Sequence, residues 1–247
     1  MSRFDFGAFT QNMEATAQRR RMDEAARRGV TVDELDAVLA AEAERTERKR
    51  REQQAEARAR AARARREDII DRYAPRVPAR VRQMFIDDKL EDYPALIATR
   101  AWLGQDESFL LLCGGTGAGK TIAALWALTR LRGMLVRSPS LGAVIEPWSS
   151  DLERGVKHME PSEYPLVVLD DLGIERISDE RWCVGFDELI DARVGLRDAV
   201  PLRTIITTNL TAKDIKARYS ERARSRIRAS STLISLPTKD MRTEKSS

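Results

Sequence analysis

Apolar residues follow two different patterns along this chain. In the longer part, from about Tyr73 onward, they come in short runs at Phe109–Cys113, 134–136, 166–169, 204–207 and 232–236. Runs of that length predict buried strands. Helical or polar text separates them, notably 79–103 before the first run and 121–132 after it. Strands alternating with helices predict a mostly parallel sheet covered on both faces.

The first part, residues 1–67, reads differently. Phe4, Phe6 and Phe9 lead into a polar stretch that Gly29 interrupts. Thr31 then has the character of a helix N-cap, with Glu34 as its capping-box partner. Leu35, Val38 and Leu39 form a small apolar face, and between Leu39 and Ile69 no large apolar residue occurs. What remains is almost entirely Ala, Glu and Arg, all strong helix formers. The segment is expected to be a long, solvated, partly frayed helix with no coiled-coil seam and no core of its own. Pro75 and Pro78 disfavour its continuation. The expected division is a helical, charged arm over 1–67 and an α/β domain over 68–247.

Composition adds limits. A chain of 247 residues has room for one such domain and an appendage. The net charge of +4 is too small to require a nucleic-acid partner, but its distribution is uneven. From Arg45 to Arg66 ten basic residues face three acidic ones, which places most of the excess on the arm. Two readings of the arm stay open. It is a solvated spacer, or it is a partner-binding or phosphate-contacting element whose affinity falls with salt. Three phenylalanines on a polar tail favour a docking tip. Cys113 and Cys183 are far apart and His158 is the only histidine, which argues against a His/Cys zinc site and a multi-histidine proton relay. No apolar run approaches the roughly 20 residues of a membrane span, and the start lacks the order of a secretory leader. The expectation is a soluble cytoplasmic protein with no membrane partner.

Chemistry enters at four places. Gly114, Gly115, Thr116, Gly117, Ala118, Gly119, Lys120 and Thr121 spell GxxxxGK[ST] between a predicted strand and a predicted helix. Glycines let successive backbone N–H groups turn inward toward phosphate oxygens. Lys120 is placed to meet the β/γ-phosphates of ATP and Thr121 to ligate Mg²⁺. The run 166–169 ends in Asp170 and Asp171, the pattern of a Walker B strand. Asp170 is expected to hold Mg²⁺ and Asp171 to orient and polarise the attacking water. The run 204–207 ends in Thr208 and Asn209. An amide there can contact phosphate or water without adding charge, as a sensor does. Finally, Arg222 and Arg226 stand four apart and share one helix face. On composition alone that face is solvated; an arginine finger is the sharper reading.

GGTGAGKT, LVVLDDLG, TIITTNL and YSERARSRI, in this order, resemble the AAA+ domain of DnaC-type helicase loaders and the related IstB transposition ATPases. The resemblance covers about 73–241. It implies a P-loop AAA+ core whose five-stranded parallel sheet has the order 5-1-4-3-2, without a helical lid. It also implies that Arg226 is the finger candidate, that Arg222 is the first arginine of the same segment, and that Arg193 lies near a subunit interface. Gly115 stands where the family often has proline, and the arm lacks the zinc-binding cysteines of some loaders. The function implied is ATP-dependent loading of a hexameric replicative helicase, gripped by the arm, onto single-stranded DNA by self-assembling subunits. A transposition helper, a slow ATP-binding interaction module and a small-molecule kinase are the competing readings. The short C-terminus leaves little room for the last.

Overall fold

The computed structural model describes residues 6–138, 164–175, 180–195 and 202–237. Phe4 and His158 lie outside them, as do the side chains of Phe6 and Phe9. The chain forms two compact units, Met1–Ala61 and Ala62–Ser247.

In the first unit, helix α1 (Phe6–Arg28) turns at Gly29 into helix α2 (Val32–Tyr73). Val30 N–H donates to Ala25 O at 3.1 Å to close the turn. The capping box forms: Thr31 N–H donates to Glu34 Oε2 at 2.8 Å and Glu34 N–H to Thr31 Oγ1 at 3.3 Å. Of the small apolar face, Leu35 is buried together with Ala25, while Val38 and Leu39 stay exposed. An Arg21–Asp36 pair at 3.6 Å links the two helices. Beyond Leu39 the helix is held by its own composition, with Glu–Arg pairs one turn apart such as Glu47–Arg51 and Glu52–Arg48. Such exposed pairs each contribute only about 0.3–0.5 kcal/mol.

The second unit begins inside α2. Arg65 donates to Leu128 O and Leu131 O, each at 2.8 Å, and Arg66 donates to Ile86 O at 2.7 Å. These carbonyls end other helices, where acceptors lack intrahelical partners. Ile69 and Ile70 are buried in the core. The helical text over 79–103 is not one helix but two, α3 (Ala79–Ile86) and α4 (Pro94–Trp102). Two local causes break it. Asp88 adopts φ +58, with Lys89 N–H donating back to Met84 O at 2.8 Å. Pro94 opens α4, and Tyr93 before it is extended, at φ −139 and ψ 159.

The five predicted strands all form: β1 (Phe109–Cys113), β2 (Gly133–Arg137), β3 (Leu166–Leu172), β4 (Arg203–Thr208) and β5 (Ser231–Ser235). Helix α5 (Lys120–Arg130) follows β1; α6 (Glu180–Gly195), α7 (Ala212–Arg218) and α8 (Glu221–Ala229) follow later. The sheet is parallel with the order β2-β3-β4-β1-β5, the expected order read from the other edge. Alternate residues face opposite layers. Leu110, Leu112, Leu166, Val168 and Ile205 meet α3, α4 and α5, whereas Phe109, Leu111, Leu169 and Ile206 meet α6 and α8. Covering both faces explains why these strands are continuously apolar. Among the described residues no helix is long and apolar enough to cross a membrane.

Candidate phosphate-binding site

The strand order decides where the chemistry gathers. β4 lies between β1 and β3, so the loop after β1 and the ends of β3 and β4 meet at one edge of the sheet. Crevices at the carboxyl ends of parallel strands are where α/β folds bind ligands.

The P-loop runs from Gly114 into α5. Gly119 is its last loop residue, at φ +79, and a Cβ there would stand 2.5 Å from the Tyr93 ring. Only glycine fits both the backbone conformation and that space. Lys120 is 6% exposed. Its Nζ donates to Gly114 O at 2.7 Å, to Gly115 O at 2.8 Å and to Asn209 Oδ1 at 2.8 Å. Burial lowers its pKa, and the carboxylates of Asp171 and Asp170 partly oppose that shift. The lysine thus ties the loop to the end of β4.

A second set of bonds ties α5 to β3 and β4. Asp170 is 2% exposed, and its Oδ1 accepts from Thr121 Oγ1 at 3.0 Å and from Thr207 Oγ1 at 2.7 Å. Burial raises the Asp170 pKa; the Thr207 and Thr121 hydroxyls oppose this and the neighbouring Asp171 charge adds to it. Pairing between β3 and β4 slips at this place, from Leu169↔Ile206 to Leu172↔Thr208, so β3 carries one extra residue. Bulges of this kind re-aim side chains beside functional sites. Asp171 lies in the bulge at φ +58, an unusual conformation for a residue with a side chain. Thr207 holds it there by accepting Asp171 N–H at 2.9 Å.

Lys120, Thr121, Asp170, Asp171 and Asn209 therefore come together as their spacing predicts. Thr207 was not singled out in the sequence, yet its hydroxyl serves both aspartates. The signal was present as a hydroxyl residue ending an otherwise apolar buried strand. Arg222 and Arg226 are not at the P-loop of their own chain. Both guanidinium groups pair with Asp191 on α6. The Arg193 side chain faces the domain interior. It is 1% exposed, and its guanidinium donates inward to Thr204 Oγ1, to Tyr164 O at 3.0 Å and to Arg203 O. These buried acceptors hold the guanidinium inside the domain.

The site fits a nucleotide triphosphate and a divalent ion on its own chemistry. The loop wraps a cation, Lys120, and beside it a hydroxyl and a buried carboxylate, Thr121 and Asp170, present the hard oxygen donors that Mg²⁺ takes. A P-loop after β1, an inner strand flanked by β4 and β5 in a 2-3-4-1-5 parallel sheet, defines the chain as a protein with an AAA+-type α/β core. No protein-family model matches the chain, and neither does any curated protein sequence. Solved structures are similar in fold. The crystal structure of the DnaC helicase loader aligns at 24% identity and a TM-score of 0.45, over 57% of this chain and 88% of that one. AMPPCP-bound DnaA from Aquifex aeolicus aligns at 15% identity and 0.43, over 57% of this chain and 44% of that one. The replication initiator DnaA bound to AMPPCP and single-stranded DNA aligns at 17% and 0.45, over 60% and 47%. The chain spans less than half the length of these two DnaA structures.

Proposed function

We propose that this chain is an ATPase that loads a hexameric replicative helicase onto single-stranded DNA. One observation supports the ATPase part above all: Lys120 bonds to Asn209 while Thr121 and Thr207 bond to the same Asp170 oxygen. Four motif residues from three separate strand ends thus converge. The P-loop backbone and Lys120 bind the phosphates, and Thr121 and Asp170 hold Mg²⁺. Held there, Mg²⁺ would supply positive charge to offset the negative charge developing on the phosphoryl oxygens. Asp171 orients the attacking water and accepts its proton, and Asn209 contacts the terminal phosphate once Lys120 turns from it. Arg226 acts in trans, exchanging Asp191 for the phosphate of a neighbouring subunit, with Arg222 beside it.

The loader part is supported by the order GGTGAGKT, LVVLDDLG, TIITTNL and YSERARSRI and by the basic arm. The arm grips the helicase, and the core's basic residues contact DNA phosphates. Affinity purification from the native host tests this. Recovery of a hexameric helicase supports the reading, and recovery of a transposase in its place moves the chain to the transposition helpers. A mixing assay tests Arg226. Lys120→Ala protein lacks a working P-loop and Arg226→Ala protein lacks the finger, so together they recover part of the turnover that neither has alone. If mixed oligomers form and no turnover returns, Arg226 does not act across an interface.

A further inference from the structure

One buried acid lies beside the phosphate site without belonging to it. The Glu175 side chain is 1% exposed. It closes the turn that follows Asp170 and Asp171, and donors from two other parts of the fold converge on it beside one from the turn itself. Its Oε2 accepts from Ser138 Oγ, at the end of β2, at 2.5 Å and from Gly173 N–H at 2.7 Å. Its Oε1 accepts from the Tyr219 hydroxyl at 2.5 Å and lies 3.6 Å from Arg218 Nη2. Arg218 also donates to Glu175 O at 3.0 Å.

The two ends of this network matter. On one side, Gly173 is part of the aspartate turn: Ile174 N–H donates to Asp171 O at 3.4 Å. Gly173 has φ +114, and a Cβ there would meet Leu210 at 2.7 Å, so packing as well as hydrogen bonding fixes the turn. On the other side, Tyr219 immediately precedes Ser220, whose side chain caps α8 by accepting Ala223 N–H at 3.1 Å. The Tyr219 ring is clamped by Trp182 and Phe186 of α6, with centroids 5.9 and 5.3 Å away. Trp182 in turn donates to Ser138 O at 2.6 Å.

A carboxylate is a costly filler for a core. An apolar side chain of similar volume would be buried without the desolvation penalty of a charge. Here the charge gathers donors from three places that an apolar residue would leave unlinked. We propose that Glu175 is a positioning residue that couples the Asp170–Asp171 turn to the arginine helix α8, so that nucleotide in the P-loop sets the orientation of Arg222 and Arg226. The proposal rests on the ATPase reading above. A shift of the aspartate turn pulls on Gly173 N–H, and the shared carboxylate passes the displacement to Tyr219 and the first turn of α8. Such a route is a physical one only if both ends respond together.

The test uses the full chain, Glu175→Gln and Tyr219→Phe, with Mg·AMPPCP as the bound probe. Hydrogen exchange over 220–229 is compared with and without the probe, beside its Kd, kcat for ATP and Tm. The wild type gains protection over 220–229 when the probe binds. In both variants that gain falls at least about fivefold and kcat falls about tenfold, while Kd stays within about twofold. Combining the two changes is no worse than Glu175→Gln alone, as expected of one shared route. Should Glu175→Gln fail to fold, Tyr219→Phe decides, since it deletes a single hydroxyl. Variants that lose Tm yet keep the probe-dependent protection and kcat overturn the proposal, as does a wild type that binds the probe with no change over 220–229. A wild type that binds but never hydrolyses ATP sinks the ATPase reading, and the exchange comparison then decides the coupling by itself.

Discussion

At the residue scale, the site is organised by hydroxyls and one amide as much as by charges. Asn209 Oδ1 accepts from Lys120 Nζ at 2.8 Å. Asn209→Ala is expected to leave ATP binding near normal and lower kcat by about 10², the effect of losing one positioned polar contact to a reacting group. Asn209→Asp is expected instead to weaken ATP binding, since it adds an anion where phosphate must sit; a titration with a fluorescent nucleotide separates the two. Glu175 supplies a pH signature. Burial pushes its pKa up, but the hydrogen bonds from Ser138, Tyr219 and Gly173 outweigh burial and leave it below the ordinary 4.5. Its contribution to stability is therefore complete above that value and lost as pH falls through the lowered one. Melting curves between about pH 5 and pH 3 should show a smaller loss of Tm for Glu175→Gln than for the wild type. The five residues around the P-loop were legible because phosphate and Mg²⁺ chemistry demands fixed residue types at fixed spacing. Thr207, Glu175 and Tyr219 were not, because their roles come from neighbours 36 to 44 positions away in sequence.

At the element scale, the start of α2 was legible and one helix stop was not. Thr31 and Glu34 form the capping box that their spacing announces; the structure adds a second at Thr211 and Asp214. Thr31→Ala should cost about 1 kcal/mol at the start of α2, visible as faster hydrogen exchange in its first turn. The break between α3 and α4 depends on Asp88 entering the left-handed region, which aspartate tolerates but does not announce. There Arg130 holds Asp88 through both carboxylate oxygens at 2.7 Å, a tertiary contact that no local pattern shows. The inner strands β1, β3 and β4 were legible because burial on both faces leaves a continuous apolar run, whereas β5 at the sheet edge is half exposed and mixes serine and threonine with its apolar residues.

At the scale of the whole molecule, the two compact units set where the chain can be cut. A protein of residues 62–247 should fold, bind ATP and fail to capture the helicase. Removing a few residues more should cost stability, because Arg65 and Arg66 satisfy the carbonyl ends of α5 and α3. We expect the 67–247 chain to melt about 5 °C or more below the 62–247 chain, given the modest net worth of each such hydrogen bond in a domain of this size. The parallel sheet order could be anticipated because the motif order, through its resemblance to the loader ATPases, implies it. The placement of Arg193 could not, because an arginine in helical text carries no mark of whether its guanidinium faces a neighbour or the interior.

Hydrolysis at this site depends most directly on Asp171, held at φ +58 in the bulge beside Lys120 and Asp170. The direct measurement is steady-state ATP hydrolysis by Asp171→Asn, with Mg·ATP affinity measured on the same protein. The amide keeps the size of the side chain but cannot accept the water's proton. Asp171→Asn is expected to keep affinity within about twofold of wild type and to lower turnover by about 10² or more. Hydrolysis at the wild-type rate would contradict this role of Asp171.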